Sequence, residues 1–202
     1  FPADLAYANL DGANLFGSTA FYGNFRGARL RGANLGSATL VNSDFALADL
    51  TGATLVRANL QGVFLYGANL TGANLYLSTL TNADLPYAVL PYANLMATNA
   101  NGVELARANL FGADLRFAYL ASADLAEADL RGADLTGADL TGADLTGANL
   151  SDANLYGANL TNTNLTDATL TRSNLYLATT TGAYMEDAGP RRSKLSLSTM
   201  DS

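Results

Sequence analysis

The chain has 202 residues, a formal net charge of −7, no Cys, no His and no Trp, and only 14% charged residues, where roughly 25% is usual. Without Cys or His there is no disulfide, zinc–thiolate or iron–sulfur ligand set, no thiol nucleophile and no histidine acid, base or metal ligand. No apolar run reaches the roughly 18–20 residues that span a bilayer, and the acidic balance opposes the basic surface of a nucleic-acid binder, so neither membrane spanning nor direct nucleic-acid binding is expected.

From Leu5 the chain repeats every five residues. Leu5, Leu10, Leu15, Ala20, Phe25, Leu30 and the series onward to Met185 is Leu, Phe or Met everywhere except Ala20, Ala100 and Thr180. Two residues earlier stands a small residue, as in Ala3, Ala8, Ala13, Ser18 and Gly23. Asn, Asp or Thr commonly precedes the large residue, and Gly often follows it by two, as at Gly12, Gly32 and Gly52. A 3.6-residue helix would carry the large residues around every face, and a flat strand would alternate them between two faces. The spacing predicts a short extended segment with two inward side chains, then a turn in which Gly tolerates a positive φ. Four such sides close a square of 20 residues. Phe25 and Phe45 fall one coil apart and should stack, and the volume missing at Ala20 is expected from Phe21.

The run Ala133-Asp134-Leu135-Thr136-Gly137 through Ala148-Asn149-Leu150 resembles the pentapeptide-repeat proteins, whose consensus is A(D/N)LXX, and the resemblance extends over most of the chain. It implies an all-β fold, a right-handed quadrilateral parallel β-helix of about nine to ten coils of 20 residues. Leu5, Leu10, Leu15, Phe25, Phe45, Leu135 and Leu150 then belong to the core. The repeat is expected to form one unit over residues 1–187, with 188–202 a tail, cap or final irregular coil. Gly182–Asp187 resembles the family's closing segment, and Leu195 and Met200 still keep the five-residue step.

Outward positions fall into vertical columns at 20 residues per coil. Arg26, Arg29 and Arg31 cluster in the first coils, and Tyr87 and Tyr92 follow Pro86 and Pro91 as an exposed patch. An apolar stripe of Phe16, Val56, Tyr76, Met96, Tyr156 and Tyr176, interrupted at Gly36, Arg116 and Thr136 and flanked by Leu77, Phe117 and Leu177, is a candidate protein interface. Residues 1–103 hold five acids and four bases, residues 104–152 nine and three, and residues 153–202 four of each. The excess acid thus lies in a belt of Glu104, Asp114, Asp124, Glu127, Asp129, Asp134, Asp139, Asp144 and Asp152, a candidate acidic partner surface. At about 4.8 Å per coil the belt carries about one net charge per 2 Å, against about one per 1.7 Å in B-DNA. Asn and Asp beside turns also hydrogen-bond nearby backbone, which is the structural reading of the same columns.

These residues point to a non-enzymatic scaffold for a protein partner, with no catalytic, cofactor or metal residues. Homodimerisation through the solenoid ends or the aromatic face is the simplest form of partnering. The regular ADL/ANL array looks cyanobacterial. The resemblance also implies an alternative, since some family members mimic DNA, bind gyrase, a type II topoisomerase, and protect it from quinolones. A chain that begins Phe1-Pro2 is expected to be a trimmed, processed or excised one. A cytoplasmic location is favoured, or the thylakoid lumen or periplasm if a leader was removed before Phe1.

Overall fold

Small-x-Leu segments separated by two-residue turns set a five-residue side, and four sides bring the chain back over itself. In the computed structural model, which describes residues 2–188 and the backbone of 194–195, the residue before each inward Leu pairs in parallel with the residue twenty positions on. Asp4 pairs with Asn24, Asn9 with Arg29, Asn14 with Asn34 and Thr19 with Thr39, and the step continues unbroken to Asn164 with Tyr184. The chain is a right-handed quadrilateral parallel β-helix, and the described residues contain no helix. Most sides contribute a single paired residue. At Asn174–Leu175 (β1) two consecutive residues pair in parallel with Lys194–Leu195 (β2), again twenty positions on. The tail or cap expected at 188–202 otherwise lies outside the described residues.

The backbone polar groups of one side show why the stack holds. The Leu5 and Tyr7 N–H groups donate to the next coil, to Asn24 O (2.7 Å) and Arg26 O (2.8 Å), while Asn24 N–H donates back to Ala3 O (2.8 Å). Ala8 N–H closes the turn on Leu5 O (3.1 Å). The remaining donor, Ala6 N–H, reaches Asp4 Oδ1 at 3.4 Å. All five donors are therefore met, as a packed backbone requires.

The third residue of each turn has a positive φ, the mark of a type II turn. Glycine is not what permits this. Tyr7 (58°), Leu47 (59°) and Phe117 (57°) adopt the same conformation as Gly12 (65°), at a cost of about 1–2 kcal/mol for a non-glycine residue. Their N–H bonds to the adjoining coil offset that cost. Gly leaves room where a ring of the preceding coil lies over it: a Cβ at Gly27 would meet the Tyr7 ring at 2.7 Å, and one at Gly137 the Phe117 ring at 2.8 Å, whereas one coil after Tyr87 the same position holds Arg107.

The large and small inward residues are buried from Phe25 to Ala178, and Leu135 and Leu150 are wholly so, while Thr180, Ala183, Met185 and Ala188 are partly exposed. Leu5, Leu10 and Leu15 point inward and pack on the same core while remaining partly exposed. Each fully buried Leu contributes about 1.5–3 kcal/mol. Phe25 and Phe45 stack with centroids 4.4 Å apart and planes 5° from parallel. Phe21 does not supply the volume missing at Ala20, because it lies on the outside, 50% exposed. The Phe25 ring occupies that region instead. It packs where Gly23 lacks a side chain: a Cβ there would sit 2.8 Å from the ring and 3.2 Å from Ala20 Cβ.

Candidate functional site: the outward columns

The nine belt residues do not act alike. Asp114, Asp124, Asp129, Asp134, Asp139 and Asp144 each accept, through Oδ1, the N–H of the residue two positions on, at 2.9–3.2 Å. These carboxylates cap the turns that follow them. Four belt acids are also ion-paired. Arg116 donates to both oxygens of Asp114 (2.8 and 2.6 Å), Arg131 to both of Asp129 (2.7 and 2.6 Å) and Arg107 to both of Glu127 (2.9 and 3.0 Å). Arg172 pairs in the same two-point fashion with Asp152. Arg116 also approaches Asp134 at 4.0 Å. The belt spreads over all four sides, and nearly half its charge is neutralised in place.

The arginine hydrogen bonds hold the Asp114, Glu127, Asp129 and Asp152 carboxyls below their usual range. A carboxyl lowered on folding adds stability above its unfolded pKa and loses it as pH falls through the folded value. Urea midpoints are therefore expected to stay level from pH 7 to about 5 and to fall below about pH 4. Replacing Arg107 with Met should make that fall shallower.

What remains unpaired is concentrated on one side. Asp84, Glu104, Asp124 and Asp144 occupy successive coils and pair backbone to backbone in one column. None has an ion-pair partner among the described residues. Asp84 extends this column one coil below the predicted belt. Its signal was in the sequence, as the position twenty residues before Glu104.

Asp84 differs from its neighbours for a specific reason. Its turn-capping partner would be the N–H of residue 86, and residue 86 is Pro. Asp84 Oδ1 is left buried with no hydrogen bond, and burial pushes its carboxyl above the usual range. At the other Leu-Pro side the same position is Val89, which has nothing to satisfy. Asp84→Val is therefore expected to stabilise the fold by about 1 kcal/mol at pH 7, the lower end of the cost of an orphaned polar group. The sign with pH is opposite to that of the ion pairs: a raised carboxyl weakens folding as pH rises through its folded pKa. The gain should thus shrink when denaturation is repeated near pH 3.

The apolar stripe is aligned as the 20-residue step requires. Phe16, Tyr156 and Tyr176 are 64%, 41% and 51% exposed, while Val56, Tyr76 and Met96 are half-buried. Tyr156 and Tyr176 lie tilted, 5.9 Å apart. Phe16 bends over buried Gly36, where a Cβ would meet the ring at 3.2 Å. The result is a groove of roughly 480 Å³ walled by Phe16, Val56 and Tyr76 and lined by Asn34, Thr54 and Arg57.

The remaining patches are internally satisfied. Arg26, Arg29 and Arg31 pair with Asp44, Asp11 and Asp49, so the basic cluster is neutralised. Tyr87 packs edge-on to Tyr66 and accepts a hydrogen bond from Arg107 (2.7 Å), and Tyr92 packs edge-on to Phe111. Among the described residues no group of three or more Asp or Glu is placed to hold a metal ion. Among the described residues no helix is long and apolar enough to cross a membrane.

The Pentapeptide repeats profile matches the chain in eight copies, over residues 3–36, 28–65, 48–86, 65–99, 78–116, 92–124, 113–152 and 148–188. Among solved structures the chain is similar to HetL, a pentapeptide repeat protein involved in heterocyst differentiation regulation in the cyanobacterium Nostoc sp. strain PCC 7120. Identity is 36% over 93% of this chain and 86% of HetL, with a TM-score of 0.57. A trypsin-treated variant of QnrB1, a plasmid-mediated fluoroquinolone resistance protein, is 19% identical over 91% of this chain and 89% of its own, with a TM-score of 0.72. That likeness concerns the fold alone. Against curated proteins the sequence has no match.

Proposed function

The chain belongs to the pentapeptide-repeat family, and from that premise we propose that it is a rigid, non-enzymatic scaffold for protein–protein interaction. The observation that carries this reading is the apolar stripe. Phe16, Val56, Tyr76, Met96, Tyr156 and Tyr176 stand in one column on a backbone that fixes their spacing, and exposed aromatics on a flat rigid face favour a protein partner. The role of HetL in regulating differentiation supports binding over catalysis by analogy. Residues 1–187 act as one presenting unit in this reading, and 188–202 as its tail, cap or last irregular coil. Homodimerisation through the stripe or the solenoid ends is one form the interaction takes. The test is sedimentation velocity together with quantitative pull-down, comparing wild type with a Tyr76→Glu, Met96→Glu double variant. Self-association or partner retention that the double variant loses supports the reading. A wild type that stays monomeric and retains nothing the double variant lacks overturns it.

A second reading rests on the carboxylate column. Asp84, Glu104, Asp124 and Asp144 present one unpaired carboxylate per coil, about every 4.8 Å, against one phosphate per about 3.4 Å along a DNA strand. This spacing supports a DNA-like surface offered to a type II topoisomerase. In a gyrase supercoiling assay, inhibition or quinolone protection at micromolar protein, lost in the Glu104→Gln, Asp124→Asn, Asp144→Asn triple variant, is the expected result. No effect at that concentration removes the reading.

A further inference from the structure

We propose that the groove between Phe16, Val56 and Tyr76 binds an extended acidic peptide segment of a protein partner, with Arg57 pairing a carboxylate and the apolar walls taking a neighbouring Leu or aromatic side chain. The inference rests on the stripe being a partner face, and it names the chemistry of that partner.

Arg57 carries the argument. Every other arginine of the described residues is ion-paired: Arg26, Arg29, Arg31, Arg107, Arg116, Arg131 and Arg172 each reach an Asp or Glu. Arg57 reaches none, and the sequence explains why. The residue two positions before it, where Arg116 finds Asp114, is the inward Leu55. The residues above and below it in its own column are Leu77 and Ser37, where Arg107 finds Glu127 and Arg172 finds Asp152. On a rod of net charge −7, this one unpartnered guanidinium of the described residues lies beside an apolar groove.

The rest of the lining is complementary in the same sense. Asn34 spends its Oδ1 on Gly36 N–H (3.0 Å), which leaves its amide NH₂ to donate. Thr54 and Ser37 add hydroxyls to the lining. The groove therefore sets the apolar column of Phe16, Val56 and Tyr76 between Asn34 and Thr54, which precede it along the chain, and Ser37 and Arg57, which follow it. A carboxylate next to an apolar side chain satisfies both kinds of lining. A basic segment would leave Arg57 repelled, and a purely apolar one would leave it unpaired. A charge-assisted, two-point guanidinium–carboxylate contact is the strong form of such pairing, and it gains from the aromatic walls that exclude water around it.

The experiment selects 12-residue peptides from a random phage library on the wild-type protein and measures the selected synthetic peptides by fluorescence anisotropy. Arg57→Glu and Tyr76→Ser serve as comparators. Glu is suited to the left-handed turn position, since Glu127 holds it with φ 56°, and circular dichroism checks the fold of both variants. The expected result is enrichment of Asp or Glu within two residues of a Leu or aromatic residue, with affinity falling at least tenfold in both variants. Peptides that lose affinity in Tyr76→Ser but not in Arg57→Glu overturn the acidic-peptide inference and leave the partner face standing. Peptides indifferent to both variants overturn the inference and the face together. Self-association of the wild type that Arg57→Glu abolishes assigns the groove to a second copy and overturns the peptide proposal.

Discussion

Deleting one residue from a central turn, Gly132 for instance, is expected to abolish cooperative folding, whereas deleting twenty, residues 121–140, should leave a folded protein one coil shorter. The asymmetry follows from the ladder. Every described pairing joins positions twenty apart, and every inward side chain keeps the five-residue step. One missing residue turns the following large residues away from the axis, or forces a side to close with no spare length, because each repeat has only an extended segment and a two-residue turn. An insertion could be extruded at a corner, but a deletion has no such outlet. Removing residues 121–140 joins Leu120 to Thr141 with every column preserved. Stacked repeats gain stability from nearest-neighbour interfaces, so the shorter protein should unfold in a single transition with a smaller urea m-value. A cooperative transition in the one-residue deletion, or none in the twenty-residue deletion, would show that coil register is not what holds the rod.

Leu135→Ala is expected to cost about 2–5 kcal/mol, the range for large-to-small changes in a closed core. The same change at Leu5 should cost much less. Leu135 is fully buried between coils on both sides, and Leu5 is only partly covered. The stacked core leaves little freedom to collapse into the gap, because the small inward residue beside Leu135 is held by its backbone: Ala133 N–H donates to Leu130 O in its own turn, and its carbonyl accepts from Asn154 N–H of the next coil. Urea denaturation of the two variants under identical conditions checks the ranking. Equal costs would mean that the partial exposure of the first coil does not persist in solution.

The fold was legible because its period is written in residue size. Leu135 and Ala133 recur so regularly that only a coil turning every five residues places them all inside. The Phe25–Phe45 stack followed from the same count. The outward chemistry was less legible, since it depends on which neighbours meet across a corner. A list of nine acids could not show that Asp114 and Asp129 are held by arginines two residues on, or that Asp152 is held by Arg172 one coil later. The orphaned Asp84 needed two facts at once, the turn-capping N–H and its absence in Pro86. Phe21 departs from expectation because nearness in sequence to Ala20 suggests volume, while the two-residue turn directs that side chain outward. The unpaired state of Arg57 became visible only when every other arginine had been matched.

The direction of the inter-coil bonds has an electrical consequence. On each side two N–H groups point toward the higher-numbered coil, as Leu5 and Tyr7 do, and one points back, as Asn24 does. One peptide dipole per side is left unbalanced, about four per coil in about 4.8 Å of rise, close to the 3.6 per 5.4 Å of an α-helix. The sense is reversed. An α-helix is positive at its N-terminal end, but this rod is positive toward its higher-numbered coils. Arginines at positions 26, 29 and 31 and the acidic residues 104–152 are thus sorted along the axis with the field and not against it.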